Sequence, residues 1–347
     1  MDLDAFRVTT FNLYNLQLPG QPMHPGQRPW TETEYRRKIT WVGDRLRDLR
    51  PDIVGLQELW HADAIRAALQ RADLDDDYDV LAEPATGGEI VCAALVRKGL
   101  LRGAPQWVSR FPAELRLQNT TGDPQAPDIS VQIAGFSRPV LTFDVALREA
   151  PPLTKVFVAH LKSKLPAQID SEPWFDQSKH AFHRTAIGSA LSTIRRTAEA
   201  TALRLLLTDV MKGTVTPVVV LGDLNDGHTS NTLNIITEQP RYLVGDSRGG
   251  GDIALYAAQT LQEYRDTRDV YYTHIHQDLR ESLDHVLVSE QFYDHSYRRL
   301  WLFDGLAITN DHLNDTDPAV HRQKGTGDHG IVAVDFRWHP APPPPRR

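Results

Sequence analysis

Short apolar runs rich in β-branched residues alternate with polar stretches along the whole chain. Runs of this length and composition are typical of strands that pack against other elements on one or both faces. The pattern therefore indicates a β-rich fold with few helices. We predict strands in the runs FRVTTFNL (6–13), DIVGLQEL (52–59), YDVLAE (78–83), EIVCAALVRK (89–98), VLTFDVAL (140–147), KVFVAHL (155–161), the start of PVVVLGDLND (217–226), VYYTHIH (270–276), SLDHVLVS (282–289), YRRLWLF (297–303) and HGIVAVDF (329–336).

Three segments carry the helical period instead. Apolar residues recur at helical spacing from Glu32 to Leu49, and Arg50-Pro51 stops that helix. We predict further helices at 61–72 and from about His180 to Met211. Residues 105–139 are interrupted by Pro and Gly, which predicts an elaborated loop with one short strand, and 240–268 is predicted to be rich in loops.

The order of these elements predicts a single folded unit. No internal repeat and no linker divides the chain, so we expect one domain over residues 1–339. Many strands interleaved with a few helices indicate the α/β (α+β) class, as a four-layered sandwich of two packed mixed sheets flanked by helices. The proline-rich segment 340–347 is predicted to be a disordered tail.

Composition excludes several classes of protein. The chain has 347 residues, 41% hydrophobic and 24% charged, with a net charge of −7, so its surface is not coated for nonspecific binding to nucleic acid. The single cysteine, Cys92, excludes an internal disulfide framework and lies in an apolar run that predicts a buried residue. No apolar segment is long enough to span a membrane. The acidic opening MDLDAF is unlike a signal peptide, which predicts a cytoplasmic protein unless a leader was removed.

Polar residues lie where the predicted strands begin or end. If the strands pack side by side, these residues meet at one edge of the sandwich. Carboxylates, amides and two imidazoles without cysteine suit a hard divalent cation, Mg²⁺ or Mn²⁺, better than zinc. The positions are Asn12, Gln57-Glu58, His160, Asp223, Asn225, Asp284-His285 and Asp328-His329.

One pairing follows from strand geometry alone. Neighbouring residues on a strand point to opposite faces, so neither Asp-His dipeptide forms its own pair easily. A pairing of Asp284 with His329 across strands places the carboxylate and the imidazole on one face. His285 is then predicted to point into the structure.

Six blocks in this order resemble the endonuclease/exonuclease/phosphatase superfamily, which includes pancreatic-type deoxyribonucleases, AP endonucleases, sphingomyelinases and inositol-polyphosphate phosphatases. They extend from about residue 8 to 336, and the combination of HLKSK with ESLDHVLVS most resembles the bacterial extracellular-nuclease-like branch. The resemblance implies a metal-dependent phosphoesterase. The blocks are TTFNLYNL, PDIVGLQEL, VFVAHLKSK, VVVLGDLND, SLDHVLVS and GTGDHG.

The resemblance also implies a role for each matching residue. Glu58 is the principal metal ligand, with Asn12 close by and Asp328 acting on the metal or its waters. For the chemistry at phosphorus, the family assigns roles to five further residues. Asp223 orients or deprotonates the attacking water, Asn225 holds the phosphate, His329 is a base or charge stabiliser oriented by Asp284, and His160 donates to a phosphate oxygen or to the leaving group.

Departures from the family pattern narrow the expectation. AP endonucleases have an acidic residue where this chain has Tyr14, and a different block where it has VAHLKSK, which argues against abasic-site repair. In relatives that carry the His160 arrangement, an acid on an earlier strand supports the histidine, and Glu89 is the candidate here, with an exposed turn as the alternative. His274 and His276 alternate along YYTHIH, and we expect strand packing for them, with one of the two lining the cleft as the alternative.

The substrate is less constrained by the residues. Between 155 and 200 basic residues outnumber acidic ones by seven to four, which suits a local phosphate-binding surface. Lys162 and Lys164 are candidate phosphate contacts, with a solvated loop as the alternative. Arg196 is predicted either to face the cleft or to pair with Glu199.

We therefore predict a Mg²⁺- or Mn²⁺-dependent phosphodiesterase. The preferred prediction is a nuclease that hydrolyses DNA or RNA by in-line attack of water. One alternative keeps the site but takes small phosphate esters or phospholipid head groups. A second is a catalytically silent binding scaffold, which is disfavoured because no expected catalytic position is replaced. The sequence does not predict the oligomeric state.

Overall fold

A computed structural model describes residues 2–83, 88–120, 122, 125, 127–242, 251–266, 272–276, 279–314 and 317–342. The strands are β1 (Ala5–Leu16), β2 (Ile53–Leu59), β3 (Tyr78–Leu81), β4 (Val91–Arg97), β5 (Leu101–Arg110), β6 (Leu117–Asn119), β7 (Ile129–Val131), β8 (Gly135–Val145), β9 (Thr154–His160), β10 (Val218–Asp223), β11 (Tyr256–Ala257), β12 (His274–His276), β13 (Leu279–Glu281), β14 (Asp284–Val288), β15 (Trp301–Thr309) and β16 (Ile331–Trp338). The helices are α1 (Glu32–Leu49), α2 (Ala62–Arg71), α3 (Gln177–His180), α4 (Arg184–Met211), α5 (Asn231–Thr237), α6 (Ala258–Arg265) and α7 (Pro318–Lys324).

Two six-stranded sheets organise the fold. The first has the strand order β15-β16-β1-β2-β4-β3 and the second has the order β11-β14-β10-β9-β8-β5. Each sheet contains one parallel pair near its centre, β1 with β2 and β9 with β10, among antiparallel neighbours. The predicted α/β architecture of two mixed sheets is therefore confirmed.

Three apolar clusters define the layers. The largest cluster lies between the sheets and joins residues such as Val8, Val158 and Leu221. A second cluster packs helices α1 and α2 on the outer face of the first sheet, and a third packs α4 and α5 on the outer face of the second. Helices therefore cover both outer faces, and Cys92 lies buried in the core as predicted.

Helix α1 occupies the predicted residues because its ends are capped. The Thr31 side chain accepts a hydrogen bond from the backbone of Glu34, whose carboxylate reaches back to the Thr31 backbone. At the other end Arg50 adopts the left-handed conformation, with φ of 45°, and the following proline cannot continue the helix.

Several predicted boundaries are wrong. The region 105–139 is not one loop with a single short strand, because β5, β6, β7 and the start of β8 lie in it. The loop-rich prediction for 240–268 missed α6, and the strand predicted at 297–303 runs instead over Trp301–Thr309. Within the described residues of VYYTHIH, 272–276, the strand is β12, which pairs with β13 outside the two large sheets.

Some predictions concern residues outside the described ranges. These are Gly87 of the turn between β3 and β4, residues 121, 123, 124 and 126 of the region 105–139, residues 243–250 and 267–268 of the region 240–268, Val270 and Tyr271 of VYYTHIH, and residues 343–347 of the predicted tail. Within the described part of the chain, no helix combines the length and apolar composition needed to cross a membrane.

The two sheets approach each other closely at Gly55, a residue of β2. A Cβ added at Gly55 would lie 2.7 Å from the Leu221 Cβ atom and 3.2 Å from a Val158 methyl group. Both neighbours lie in the central strands β9 and β10, which carry site residues at their ends. The absence of a side chain at Gly55 therefore sets the spacing of the sheets where the site is assembled.

We expect Gly55→Ala to lower the free energy of unfolding by about 1–3 kcal/mol, because the added methyl group overpacks the layer between the sheets. Denaturant titration measures the change. Gly227→Ala is the matched control, since the nearest atom to its Cβ is the flexible carboxylate end of Glu281 at 3.2 Å. An unfolding midpoint unchanged in the Gly55 variant would contradict this account of the spacing.

Candidate active site

The candidate site lies at one edge of the sandwich. Strands β9 and β10 are parallel, so their last residues, His160 and Asp223, pair side by side. Strand β14 runs antiparallel to β10, which places its first residue, Asp284, opposite Asp223. In the first sheet Asn12 of β1 pairs with Gln57 of β2, next to Glu58.

These edges enclose an open cleft of about 460 Å³. Most of the residues predicted from the sequence to form the site line this cleft. Asn12 and Asp284 lie behind the cleft wall, where each contacts a lining residue. The principal residues that line the cleft are Glu58, His160, Asp223, Asn225, Asp328 and His329.

The predicted pairing of Asp284 with His329 is formed. Nδ1 of His329 lies 2.8 Å from Oδ2 of Asp284, and both side chains are buried. His285 points into the structure, as predicted, with its Nε2 2.8 Å from the backbone oxygen of Asp226. The alternation of strand side chains was sufficient to distinguish the two histidines.

Asp223 lies at the centre of the site, where its carboxylate is close to Asn12, Asn225 and both site histidines. Its Oδ2 atom accepts a hydrogen bond from the Asn12 amide at 3.1 Å and lies 3.4 Å from Nε2 of His160 and 3.9 Å from Nε2 of His329. Its Oδ1 atom accepts from the backbone N–H of Asn225 at 2.9 Å. Asn225 reaches this position with a positive φ of 55°, and its side chain donates to the backbone oxygen of Leu161.

Burial and close charges shift the acid–base properties of these groups. Burial raises the pKa of Asp223 to about 7, with a further contribution from the charge of Asp284 and against the opposing effect of His329. Burial alone would lower the pKa of His329, but the charges of Asp284 and Asp223 outweigh it and raise that pKa well above its ordinary value.

His160 has the opposite tendency. Burial, aided by the positive charge of Arg138, holds the pKa of His160 well below its ordinary value. Its imidazole is therefore neutral at neutral pH, whereas His329 is protonated in the metal-free protein. The two imidazoles of the site consequently have different charges and can serve different roles.

The oxygen donors near Glu58 fit a hard divalent cation. Glu58, at a positive φ of 58°, accepts a hydrogen bond from the backbone N–H of Asn15 through Oε2 and another from the side chain of Asn12. Burial, and next the charge of Asp328, raise the pKa of Glu58. Oδ1 of Asp328 is buried and has no hydrogen-bond partner in the described residues. A cation between these carboxylates would offset the repulsion between Glu58 and Asp328 and would give Oδ1 of Asp328 a partner.

Two predicted basic contacts do not face the cleft. Nζ of Lys162 bonds to its own loop, at Ser163 and Leu165. Arg196 is buried and binds Asp226 and the backbone oxygen of Lys162, so neither predicted role is observed. Glu199, the predicted partner of Arg196, instead accepts hydrogen bonds from Ser137 and the Lys162 backbone.

Lys164 does line the cleft, but it is already paired. Its ammonium group contacts the carboxylates of Glu281 and Asp226. Glu89, the candidate support for His160, is exposed, which matches the alternative of a turn residue. Nδ1 of His160 is buried and has no hydrogen-bond partner in the part of the chain that the structure describes.

Sequence reasoning missed several residues at the cleft. Arg138 of β8 lines it and lies close enough to His160 and Glu58 to shift the pKa of each. The sequence signal that could have identified Arg138 is its position as a basic residue near the start of a strand, in SRPV. His274 and His276 both line the cleft, although strand packing was expected for them.

Lys38 is a further residue that the helical pattern did not distinguish. It is fully buried in α1, and its Nζ donates to the backbone oxygen of Thr326 at 3.0 Å. Burial lowers the pKa of Lys38 to about 7, and the nearby charge of Asp328 opposes this effect. Lys38 thus holds the loop that carries Asp328 and His329.

Comparison with known proteins identifies the class. The sequence model of the Endonuclease/Exonuclease/phosphatase family matches residues 9–329 of the chain. The match makes this protein a phosphoric ester hydrolase. It belongs to the endonuclease/exonuclease/phosphatase family, as the sequence blocks predicted. The closer resemblance to the bacterial extracellular-nuclease-like branch stays a prediction.

Solved structures share the fold at low sequence identity. The human Nocturnin catalytic domain with bound sulfate is 15% identical with a TM-score of 0.55, over 98% of this chain and 97% of that one. D. rerio TDP2 complexed with a single-strand DNA product is 14% identical with a TM-score of 0.52, over 96% and 99%. A Bacteroides thetaiotaomicron mannosyl-6-phosphatase is 12% identical with a TM-score of 0.52, over 96% and 100%. No curated protein sequence matches the chain significantly.

The charge pairing predicts how His329 titrates. In the metal-free protein we expect its pKa to lie above the ordinary histidine value and to fall in Asp284→Asn, because the variant removes a negative charge 2.8 Å away. Ring resonances followed by NMR during a pH titration in chelator measure both values. Asp335→Asn, which removes a carboxylate paired with Arg7, is the control and should leave His329 unchanged. A His329 pKa equal in the wild type and Asp284→Asn would contradict the pairing.

Proposed function

We propose that this protein is a divalent-metal-dependent phosphodiesterase and that nucleic acid is its substrate. The observation that carries the proposal is the convergence of Asp223, Asp284 and His329 at the cleft, with Glu58 and Asp328 beside them. Their residue types and positions match the family roles, and family membership supports the hydrolysis of phosphoric esters.

Glu58 and Asp328 would hold the metal ion, with Asn12 close by. A Mg²⁺ or Mn²⁺ ion bound there would neutralise charge on the phosphate oxygens. Asn12 has a second role, since its amide donates to Asp223 and its Oδ1 accepts from the Tyr14 backbone. These contacts fix the orientation of the carboxylate that faces the attacking water.

The protonation states assign the proton transfers. Water attacks phosphorus in line with the leaving oxygen, and the bond between phosphorus and that oxygen breaks as the new bond forms. The attacking water gives up a proton to Asp223, whose pKa of about 7 suits a general base near neutral pH. His329, protonated and oriented by Asp284, stabilises the negative charge that develops on the phosphate, which favours the second of its two family roles. Neutral His160 donates a hydrogen bond to a phosphate oxygen or to the leaving oxygen, and Asn225 holds the phosphate.

Two observations favour nucleic acid over the alternatives. Arg138 adds a cation to the cleft wall next to His160, where a phosphate is expected. D. rerio TDP2, which has the same fold, has been solved with a single-strand DNA product. The mannosyl-6-phosphatase has the same fold, so a small phosphate ester is the alternative substrate for this protein.

We further propose that residues 1–339 act as one domain and that the protein is cytoplasmic.

Hydrolysis of a panel of substrates tests the choice. With Mg²⁺ or Mn²⁺ we expect cleavage of plasmid DNA or of DNA and RNA oligonucleotides at low enzyme concentration, and no cleavage in chelator, because the carboxylates alone do not neutralise the phosphate. Electrophoresis and phosphate release measure the products. Activity confined to sugar phosphates or choline esters would overturn the nuclease proposal while leaving the hydrolase class intact.

Variants of the cleft test the assigned roles. We expect Glu58→Gln and His329→Gln each to lower kcat/KM by about 10²–10⁴-fold, because the first weakens the proposed metal position and the second removes the positive charge that stabilises the transition state. Initial rates on the best substrate of the panel measure the change, and circular dichroism verifies the fold. Glu263→Gln and the exposed His183→Gln are controls outside the cleft and should keep the wild-type rate. Full activity in both cleft variants would refute the assignment.

A further inference from the structure

Two histidines of β12 lie on the wall of the cleft, where the proposed mechanism does not use them. His274 and His276 are two residues apart, so their side chains leave the same face of the strand. Their rings are nearly parallel, with centroids 6.5 Å apart and planes at 12°. Both rings line the cleft beside Asp328.

His274 also contacts the loop that carries Asp328 and His329. The backbones of His274 and His329 form an isolated β-bridge, and their rings lie 4.8 Å apart between centroids. Ligand atoms of His274, Asp328 and His329 all lie within 4.8 Å of one another. One nitrogen from each ring and one carboxylate oxygen therefore meet in a small volume.

The hydrogen bonds leave the correct atoms for a metal ion. Nδ1 of His274 lies 3.0 Å from the backbone oxygen of Asp328, and Nδ1 of His329 lies 2.8 Å from Asp284. A ring whose Nδ1–H is held by an oxygen presents the lone pair of Nε2, which is the usual arrangement of metal-binding histidines. The buried Oδ1 of Asp328 has no hydrogen-bond partner in the described residues.

We propose that His274, Asp328 and His329 form a binding site for one divalent transition-metal ion, of the Zn²⁺ class, beside the oxygen-ligand position at Glu58. Two imidazoles and one carboxylate are a ligand set that zinc accepts, with a fourth position open to water. Mg²⁺ prefers oxygen ligands, so the two positions differ in the ion that they select.

The proposed site has a consequence for activity, and this consequence rests on the proposed function. An ion bound to Nε2 of His329 takes the atom that the mechanism directs at the phosphate. Zn²⁺ is therefore expected to inhibit hydrolysis supported by Mg²⁺. Zn²⁺ binding itself does not depend on the substrate, so it tests the site even if no substrate is cleaved.

Calorimetric titration of Zn²⁺ into the full chain, in excess Mg²⁺, tests the site. We expect His274→Asn to weaken Zn²⁺ binding by at least about tenfold, since one ligand is lost. His24→Asn removes a histidine from the same cleft but outside the cluster, and it should bind Zn²⁺ like the wild type. Glu58→Gln should retain Zn²⁺ binding while it loses hydrolysis. Equal affinity in His274→Asn and the wild type, or loss of binding in Glu58→Gln, would overturn the proposal.

A measurement on the unchanged protein guards against a His274 variant that fails to fold. Anomalous scattering at the zinc edge, from crystals grown in Mg²⁺ and soaked in Zn²⁺, should place an ion about 2.0–2.1 Å from Nε2 of His274. An ion bound only at Glu58 contradicts the site. In the rate assay, Zn²⁺ inhibition should persist in His24→Asn and require at least about tenfold more Zn²⁺ in His274→Asn.

Discussion

The site depends on the electrostatic balance between two buried carboxylates and one imidazole. Asp223 and Asp284 face each other across β10 and β14, and His329 lies 3.9 Å from the first and 2.8 Å from the second. Two buried negative charges side by side cost several kcal/mol unless a positive charge or a proton compensates them. His329 provides that charge, which explains why its own pKa is raised. Burial raises the pKa of Asp223 to about 7, and the charge of His329 opposes this rise. The stability of the two strand ends therefore depends on the loop that carries His329.

The loop that carries His329 contacts helix α1 on one side and the segment around Thr273 on the other. The buried Lys38 donates to Thr326, and Gly325 approaches the backbone of Arg37 so closely that a Cβ would lie 2.6 Å from its carbonyl carbon. From the other side, Gly330 donates to the backbone oxygen of Thr273, whose hydroxyl accepts from the N–H groups of Leu283 and Asp284. Thr273 thus connects the loop that carries His329 to the start of β14, which carries Asp284. His329 is thus positioned by contacts outside the second sheet, whereas the strand register of that sheet places His160, Asp223 and Asp284.

The sequence predicted what depends on local pattern and chain order. Helix α1, the two-sheet architecture, and the pairing of Asp284 with His329 follow from the helical period, the apolar runs and the alternation of strand side chains. The sequence did not predict contacts that depend on how distant segments meet. Arg196 lies on α4 at a spacing that favours Glu199, but the loop after β10 brings Asp226 within 3.3 Å. His274 was assigned to strand packing because nothing in YYTHIH reveals that β12 lies outside both large sheets, against the loop of His329.

The charges that remain around the cleft also explain how an acidic protein can receive a phosphate. Lys164 is neutralised by Glu281 and Asp226, and Arg196 by Asp226, so the basic excess seen between residues 155 and 200 does not act on the cleft as a whole. Arg138 is different, since it forms no ion pair within the described ranges and donates to a backbone oxygen of Leu161. Together with protonated His329, it gives the cleft two positive groups, which suit contact with the phosphate of the proposed substrate. In the proposed function, recognition is therefore concentrated on the phosphate at the cleft, which is consistent with a net charge of −7.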